Sequence, residues 1–199
     1  MWKIGLTGSI ASGKSTVDKM FRELGVPVFS SDDAVHDLYR GEAVAPIEAL
    51  FPGTTKAGEV DRAALSAQLV NAPEKLQALE AVVHPLVRAR VAQFLGDADA
   101  AGAVLAVVDV PLLFESGHDY GFDRIAVTLA DDATIRERAL QRPGMSVEKL
   151  DAILARQMPQ AEKKARADYL FYTDGPLKKT RNAVAALVEA LKASPQGPR

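Results

Sequence analysis

The sequence predicts an α/β protein whose parallel sheet is covered by helices on both faces. Three observations carry this expectation: strand and helix patterns alternate from end to end, the inner strands read as unbroken apolar runs, and a glycine-rich loop joins the first strand to the first helix.

The opening "WKIGLT" is a short apolar strand that ends in a glycine turn. "STVDKMFRELG" then sets Val17, Met20, Phe21 and Leu24 at helical spacing before a terminating Gly25. A second strand, "VPVF", closes on the polar "SSDD", which can also cap the helix expected over "AVHDLYR". From 41 to 96 strand character is lost, and Leu65, Leu69, Leu76, Leu79, Val83 and Val87 follow spacings of mostly three and four. A helical lobe over about 41–102 is therefore expected. Pro85 falls inside this pattern and, lacking a backbone donor, should kink or break the helix just after His84.

"AVLAVVDVPLLFE" and "RIAVTLA" are the near-continuous apolar runs of strands buried on both faces, with Asp109 ending the first. Two helical patterns, "DDATIRERALQR" and "SVEKLDAILARQM", are joined by a Pro-Gly turn and suit a lid at about 136–158. "YLFYT" supplies a last strand and "PLKKTRNAVAALVEALK" a last helix, so the core draws on about 1–40 and 103–193, and 194–199 are expected to be a disordered tail.

At 199 residues, one folding unit is expected. Charged residues at 25% and no apolar run near the ~18 residues of a spanning helix argue against a membrane protein. With 24 basic and 26 acidic side chains there is no broad footprint for nucleic acid or an anionic membrane, so an anionic ligand must be held locally. The absence of cysteine excludes disulfides, thiolate metal sites and cysteine nucleophiles, and His36, His84 and His118 are too scattered for a metal cluster. The start lacks the features of a secretory signal, which makes the cytoplasm the expected location.

Gly8, Gly13, Lys14 and Ser15 satisfy G-x-x-x-x-G-K-[ST] between a predicted strand and a predicted helix, the context that gives this motif its meaning. Such a loop turns backbone N–H groups inward at a helix N-terminus, where the helix dipole adds about half a positive charge. Gly8 and the run Ala11, Ser12, Gly13, Lys14, Ser15 and Thr16 are thus the candidate nucleotide-phosphate site. Lys14 can reach the β and γ phosphates, and Ser15 can offer its hydroxyl to Mg²⁺. The expected architecture is the P-loop NTPase fold with an added helical lobe, to which the resemblance drawn below gives a substrate-binding role, and a lid.

A guanine switch would need N-K-x-D or T-K-x-D after a late strand; neither occurs. The D-x-x-G string at 99–102 precedes a strand, where a γ-phosphate sensor would follow one. Instead Asp32 and Asp33 close the second strand, where a carboxylate can accept an acceptor hydroxyl's proton, which suits a small-molecule kinase. Capping of the next helix is the competing role, and it fits Asp33 better than Asp32. Asp109 stands where a Walker B carboxylate would organise Mg²⁺, with a plain strand-ending acid as the alternative. Arg136, Arg138 and Arg142 share one helix, and Arg142, beside the Pro-Gly turn, is the preferred lid arginine over a merely solvated one.

"GLTGSIASGKSTV", "LGVPVFSSDDAVH", "VVHPLV", "VVDVPLLFE" and "ARADYLF", in this order over almost the whole chain, resemble the dephospho-CoA kinase family. The resemblance implies phosphorylation of the ribose 3'-hydroxyl of dephospho-CoA by ATP with Mg²⁺, the last step of coenzyme A synthesis. It implies a helical coenzyme-binding lobe, and small-molecule partners without nucleic acid or membrane, for a monomer or small homo-oligomer. The second acid of the family's D-A-D motif falls on Asp32, the implied base; Ser30 stands in place of the first, and Asp33 can partly substitute. Ser9 and Ala11 replace the family's usual glycines, and Thr173 an asparagine near the adenine. His84, Pro111, Leu112 and Glu115 match segments on the acceptor side, with a packed core histidine as the alternative for His84. Another nucleotide or nucleoside as acceptor, or a nucleotide-binding module without an acceptor, are the competing functions.

Overall fold

Residues 2–8 bury nearly every side chain, as a strand must when neighbours flank it and helices cover both faces. In the computed structural model, which describes residues 1–70 and 72–194, they form β1 (Trp2–Gly8) at the centre of a five-stranded sheet. The glycine-rich loop leads into α1 (Lys14–Glu23), and the chain then runs to β2 (Val28–Ser30). After a long excursion it returns as β5 (Leu105–Asp109), buried at every position, and β6 (Arg124–Leu129). The helices α6 (Asp132–Leu140), α7 (Val147–Arg156) and α8 (Gln160–Arg166) precede β7 (Tyr169–Tyr172) and α9 (Leu177–Ala193).

The strand order is β2-β5-β1-β6-β7, and β1 pairs in parallel with β5 and with β6, as β6 does with β7. Because Leu6 lies opposite Asp109, the carboxyl ends of β1 and β5 sit side by side, and the loop after β1 opens beside Asp109. That end of an open α/β sheet is where ligands bind. Helices α1 and α9 cover one face; Phe21 meets Phe171 edge to face at 5.9 Å, within a core that includes Ile4, Leu6, Val107 and Val188. Burying a side chain such as Phe21 contributes roughly 1.5–3 kcal/mol.

The chain divides into two compact units, one of residues 1–29 with 95 onward and one spanning Ser30–Phe94. The second holds α2 (Ser31–Leu38), α3 (Val44–Leu50), β3 (Thr55–Lys56), β4 (Glu59–Val60), α4 (Arg62–Leu69) and most of α5 (Pro73–Ala100).

Several expectations are corrected. The span from 41 to 96 is not without strands: β3 and β4 form an antiparallel hairpin, turning through Ala57 (φ 53°) and Gly58 (φ 82°). Two residues per strand are too few to show an alternation. Helix α5 is not broken at Pro85 but runs 28 residues through it. Pro85 and Ala81, whose carbonyl loses its partner, are both exposed, so water can satisfy that carbonyl. Helix α8, absent from the sequence expectation, has no apolar stripe and is nearly polar all round. Residues 195–199, which carry most of the expected tail, lie outside the described residues. Among the described residues no helix is long and apolar enough to cross a membrane.

Candidate active site

Space dictates the glycines of the loop. A Cβ on Gly8 would overlap the Thr128 hydroxyl and come within 2.9 Å of the Thr128 carbonyl; one on Gly13 would lie 2.9 Å from Thr173 Oγ1. Gly13 also has φ 87°, in the left-handed region, and caps α1 without a side-chain hydrogen bond. By contrast α4, α6 and α7 begin with Asp61, Asp131 and Ser146 bonded to their first amides. No acid occupies the first turn of α1, so its N-terminal partial charge is left for an anion.

Ala11, where the resembled family has glycine, is left-handed as well (φ 58°), a conformation that costs an alanine roughly 1–2 kcal/mol. Its methyl group is buried against Ala139 of α6 and Leu150 of α7, with Ile10, Met145 and Leu154 packed around them. The side chain of Gln157, at the end of α7, accepts a hydrogen bond from the Ile10 N–H at 3.0 Å. The two helices expected to form a lid therefore rest directly on the loop.

Ser12 and Thr173 tie the loop to the sheet. Ser12 Oγ lies 2.6 Å from Thr128 Oγ1, and Thr173 Oγ1 donates to the Ser12 carbonyl at 2.8 Å. Arg138 in turn donates to Thr173 Oγ1 (3.1 Å) and to the Thr173 carbonyl (2.7 Å). Of the three candidate lid arginines, Arg138 thus reaches the loop's support. Arg136 pairs with Asp151 of α7 at 2.7 Å, and Arg142 is exposed just past α6.

The Lys14 ammonium sits 3.1 Å from Asp109 Oδ1 and 3.2 Å from Oδ2, with both side chains largely buried. Behind this pair stands Asp18, which the sequence reading did not single out. Burial, and then the charge of Asp109 beside it, push the Asp18 carboxyl up to about 8, against the pull of Lys14 and Arg22. The Asp18 carboxyl is hydrogen-bonded to that of Asp109, and its Oδ1 is buried without a hydrogen-bond partner. Ser15 is exposed at the start of α1. Among the described residues no three His, Asp or Glu side chains converge as a protein cage for a metal. Mg²⁺ is ordinarily held by one or two carboxylates plus substrate phosphates, so the Ser15 hydroxyl and the buried Asp109 carboxylate, with the unpartnered Asp18 Oδ1 behind it, fit it.

Asp32 and Asp33 are exposed in the first turn of α2, and the cap is neither of them: Ser30 Oγ accepts from the Asp33 N–H at 3.2 Å. The residue standing in place of the family's first aspartate thus starts the helix that carries Asp32. His84 is exposed on α5, which corrects the alternative of a packed core histidine. Pro111 is half-buried, and its carbonyl accepts from Thr7 Oγ1 at 3.2 Å; Leu112 is exposed. Glu115 is clasped: Oε1 lies 2.8 Å from the Nζ of the fully buried Lys163 and accepts from the Met158 N–H at 2.8 Å. Burial raises the Glu115 carboxyl, but the Lys163 and Met158 hydrogen bonds outweigh it and hold the group below the ordinary carboxylate range.

A phosphate-cradling loop at the carboxyl end of a parallel sheet, a lysine reaching forward from it and helices resting on it define a P-loop kinase of the small-molecule class. The sequence pattern described as dephospho-CoA kinase matches residues 2–179, and the chain belongs to that family. It is 53% identical over 190 residues to the dephospho-CoA kinase of Rhizobium meliloti (strain 1021), covering 96% of this chain and 98% of that one. It is similar to the crystal structure of TT1252 from Thermus thermophilus, with a TM-score of 0.82 and 35% identity over 96% of this chain and 97% of that one. The dephospho-CoA kinase structure from Campylobacter jejuni shares the fold, with a TM-score of 0.68 and 24% identity over 95% and 96% of the two chains.

Proposed function

We propose that the chain transfers the γ-phosphoryl group of ATP to the ribose 3'-hydroxyl of dephospho-CoA, giving CoA and ADP in the cytoplasm. The observation that carries the reading is Lys14, held by Asp109 at the mouth of an uncapped helix, in a chain of this family. The first-turn amides of α1 bind the phosphates, and Lys14 spreads the charge that develops on the transferred group. Ser15 and Asp109 would hold Mg²⁺, which supplies electrostatic stabilisation of the phosphoryl oxygens when bound.

Asp32 accepts the proton of the 3'-hydroxyl. Arg142, exposed beside the Pro-Gly turn, comes onto the phosphoryl oxygens from the lid, while Arg138 supports the loop through Thr173. His84, Pro111 and Leu112 contact the acceptor, and Glu115 shapes that side through its clasp on Lys163. The helical unit Ser30–Phe94 provides the coenzyme-binding lobe.

Replacing Asp32 with Asn lowers kcat by about two to four decades and leaves ATP binding nearly intact. A near-normal kcat removes Asp32 from the mechanism. A panel of other nucleotides and nucleosides, run as acceptors beside dephospho-CoA, identifies the acceptor by comparison of kcat/KM.

A further inference from the structure

An alanine left to itself avoids the left-handed region, where strain weights against it by about 5- to 30-fold in population. Ala11 nonetheless stands at φ 58°, just before Ser12 and Gly13, through which the chain enters α1. Two contacts from the far end of the sequence hold it there. Its methyl group is buried against Ala139 and Leu150. The N–H one residue earlier, on Ile10, donates to Gln157 Oε1 at 3.0 Å across 147 positions of sequence.

Gln157 is itself fixed from both sides. Its N–H donates to the Leu154 carbonyl at 3.1 Å, and the next N–H, on Met158, donates to Glu115 Oε1 at 2.8 Å. That same oxygen lies 2.8 Å from the Nζ of the buried Lys163. A buried ion pair adds little stability of its own, since apolar side chains of the same volume can match it. Here it fixes the stretch of backbone that aims an amide oxygen at the loop.

We propose that Gln157 is a positioning residue for nucleotide binding: its Oε1, on the Ile10 N–H, holds Ala11 in the left-handed conformation of the phosphate-binding loop. The role rests on the kinase reading above, in which this loop takes the triphosphate. Gln157 acts through the loop backbone and not on the reacting groups.

The test is a double-mutant cycle on the full chain, read as ADP affinity by titration calorimetry. Gln157→Ala weakens ADP about 5- to 20-fold, because part of the population now leaves the binding-competent loop. Glycine bears no penalty at positive φ, so in the Ala11→Gly background the same Gln157→Ala change costs less than about twofold. A purely structural role for Gln157 would not make its loss depend on the residue at position 11. Cooperative thermal unfolding of all four proteins without nucleotide is expected.

Gln157→Ala binding ADP as tightly as the wild type overturns the role. Equal losses in the two backgrounds overturn it too, whether from a local defect or from unfolding, because the effect then does not pass through Ala11. An Ala11→Gly chain that no longer binds ADP overturns it as well, since relief of strain would then be harmful. A wild type that binds no ADP overturns the kinase reading itself.

Discussion

Lys163 is fully buried, and among the described residues its ammonium answers one carboxylate, that of Glu115. Replacing it with Met leaves Glu115 charged and unpaired, which costs about 3–5 kcal/mol in denaturant unfolding; a loss under about 1 kcal/mol would contradict the clasp. The sign with pH follows from the lowered Glu115 value. Its stabilisation is complete above the ordinary carboxylate range and is lost as pH falls through the folded-state value below it. The wild type therefore loses the Glu115 contribution on acidification through and below the ordinary carboxylate range, and Lys163→Met removes that part of the slope, leaving the parts due to Glu48, Asp131 and Glu148. Lys14, Ser15 and Gly13 were legible because a local string carries their geometry. Asp18 and Lys163 were not, since their partners Asp109 and Glu115 come from distant segments; Thr173 was noted only beside the adenine, and its bond to the Ser12 carbonyl was not legible for the same reason.

Elements were legible in proportion to the strength of their period. The buried strands β1, β5 and β6 and the amphipathic α1, α7 and α9 follow from apolar runs or stripes. The β3–β4 hairpin and α8 offer neither, and α5 passes a proline that the pattern alone would have broken. The hairpin turn is also where a local rule is violated, because Ala57 is exposed in the left-handed region just before Gly58. Ala57→Asn creates the Asn-Gly pair that such turns favour, and should stabilise the hairpin by about 0.5–1 kcal/mol. Amide hydrogen exchange within β3 and β4 then slows; unchanged or faster exchange would contradict the turn geometry.

At the scale of the whole molecule, the alternation of strand and helix and the loop between β1 and α1 were sufficient for the fold class, because a buried parallel sheet admits few arrangements. The loop, its supporting residues and the helices α6 to α8 all belong to the unit that carries the sheet. Of the residues proposed for the acceptor, Asp32 and His84 belong to the Ser30–Phe94 unit and Pro111, Leu112 and Glu115 to the unit that carries the sheet. The most direct test is phosphoryl transfer with ATP, Mg²⁺ and dephospho-CoA, the product identified by mass and by 3'-specific analysis, with Lys14→Ala as control. The account predicts 3'-phosphorylated CoA from the wild type and almost none from Lys14→Ala. A wild type that binds ATP but forms no CoA, or a Lys14→Ala variant with unchanged turnover, would contradict it.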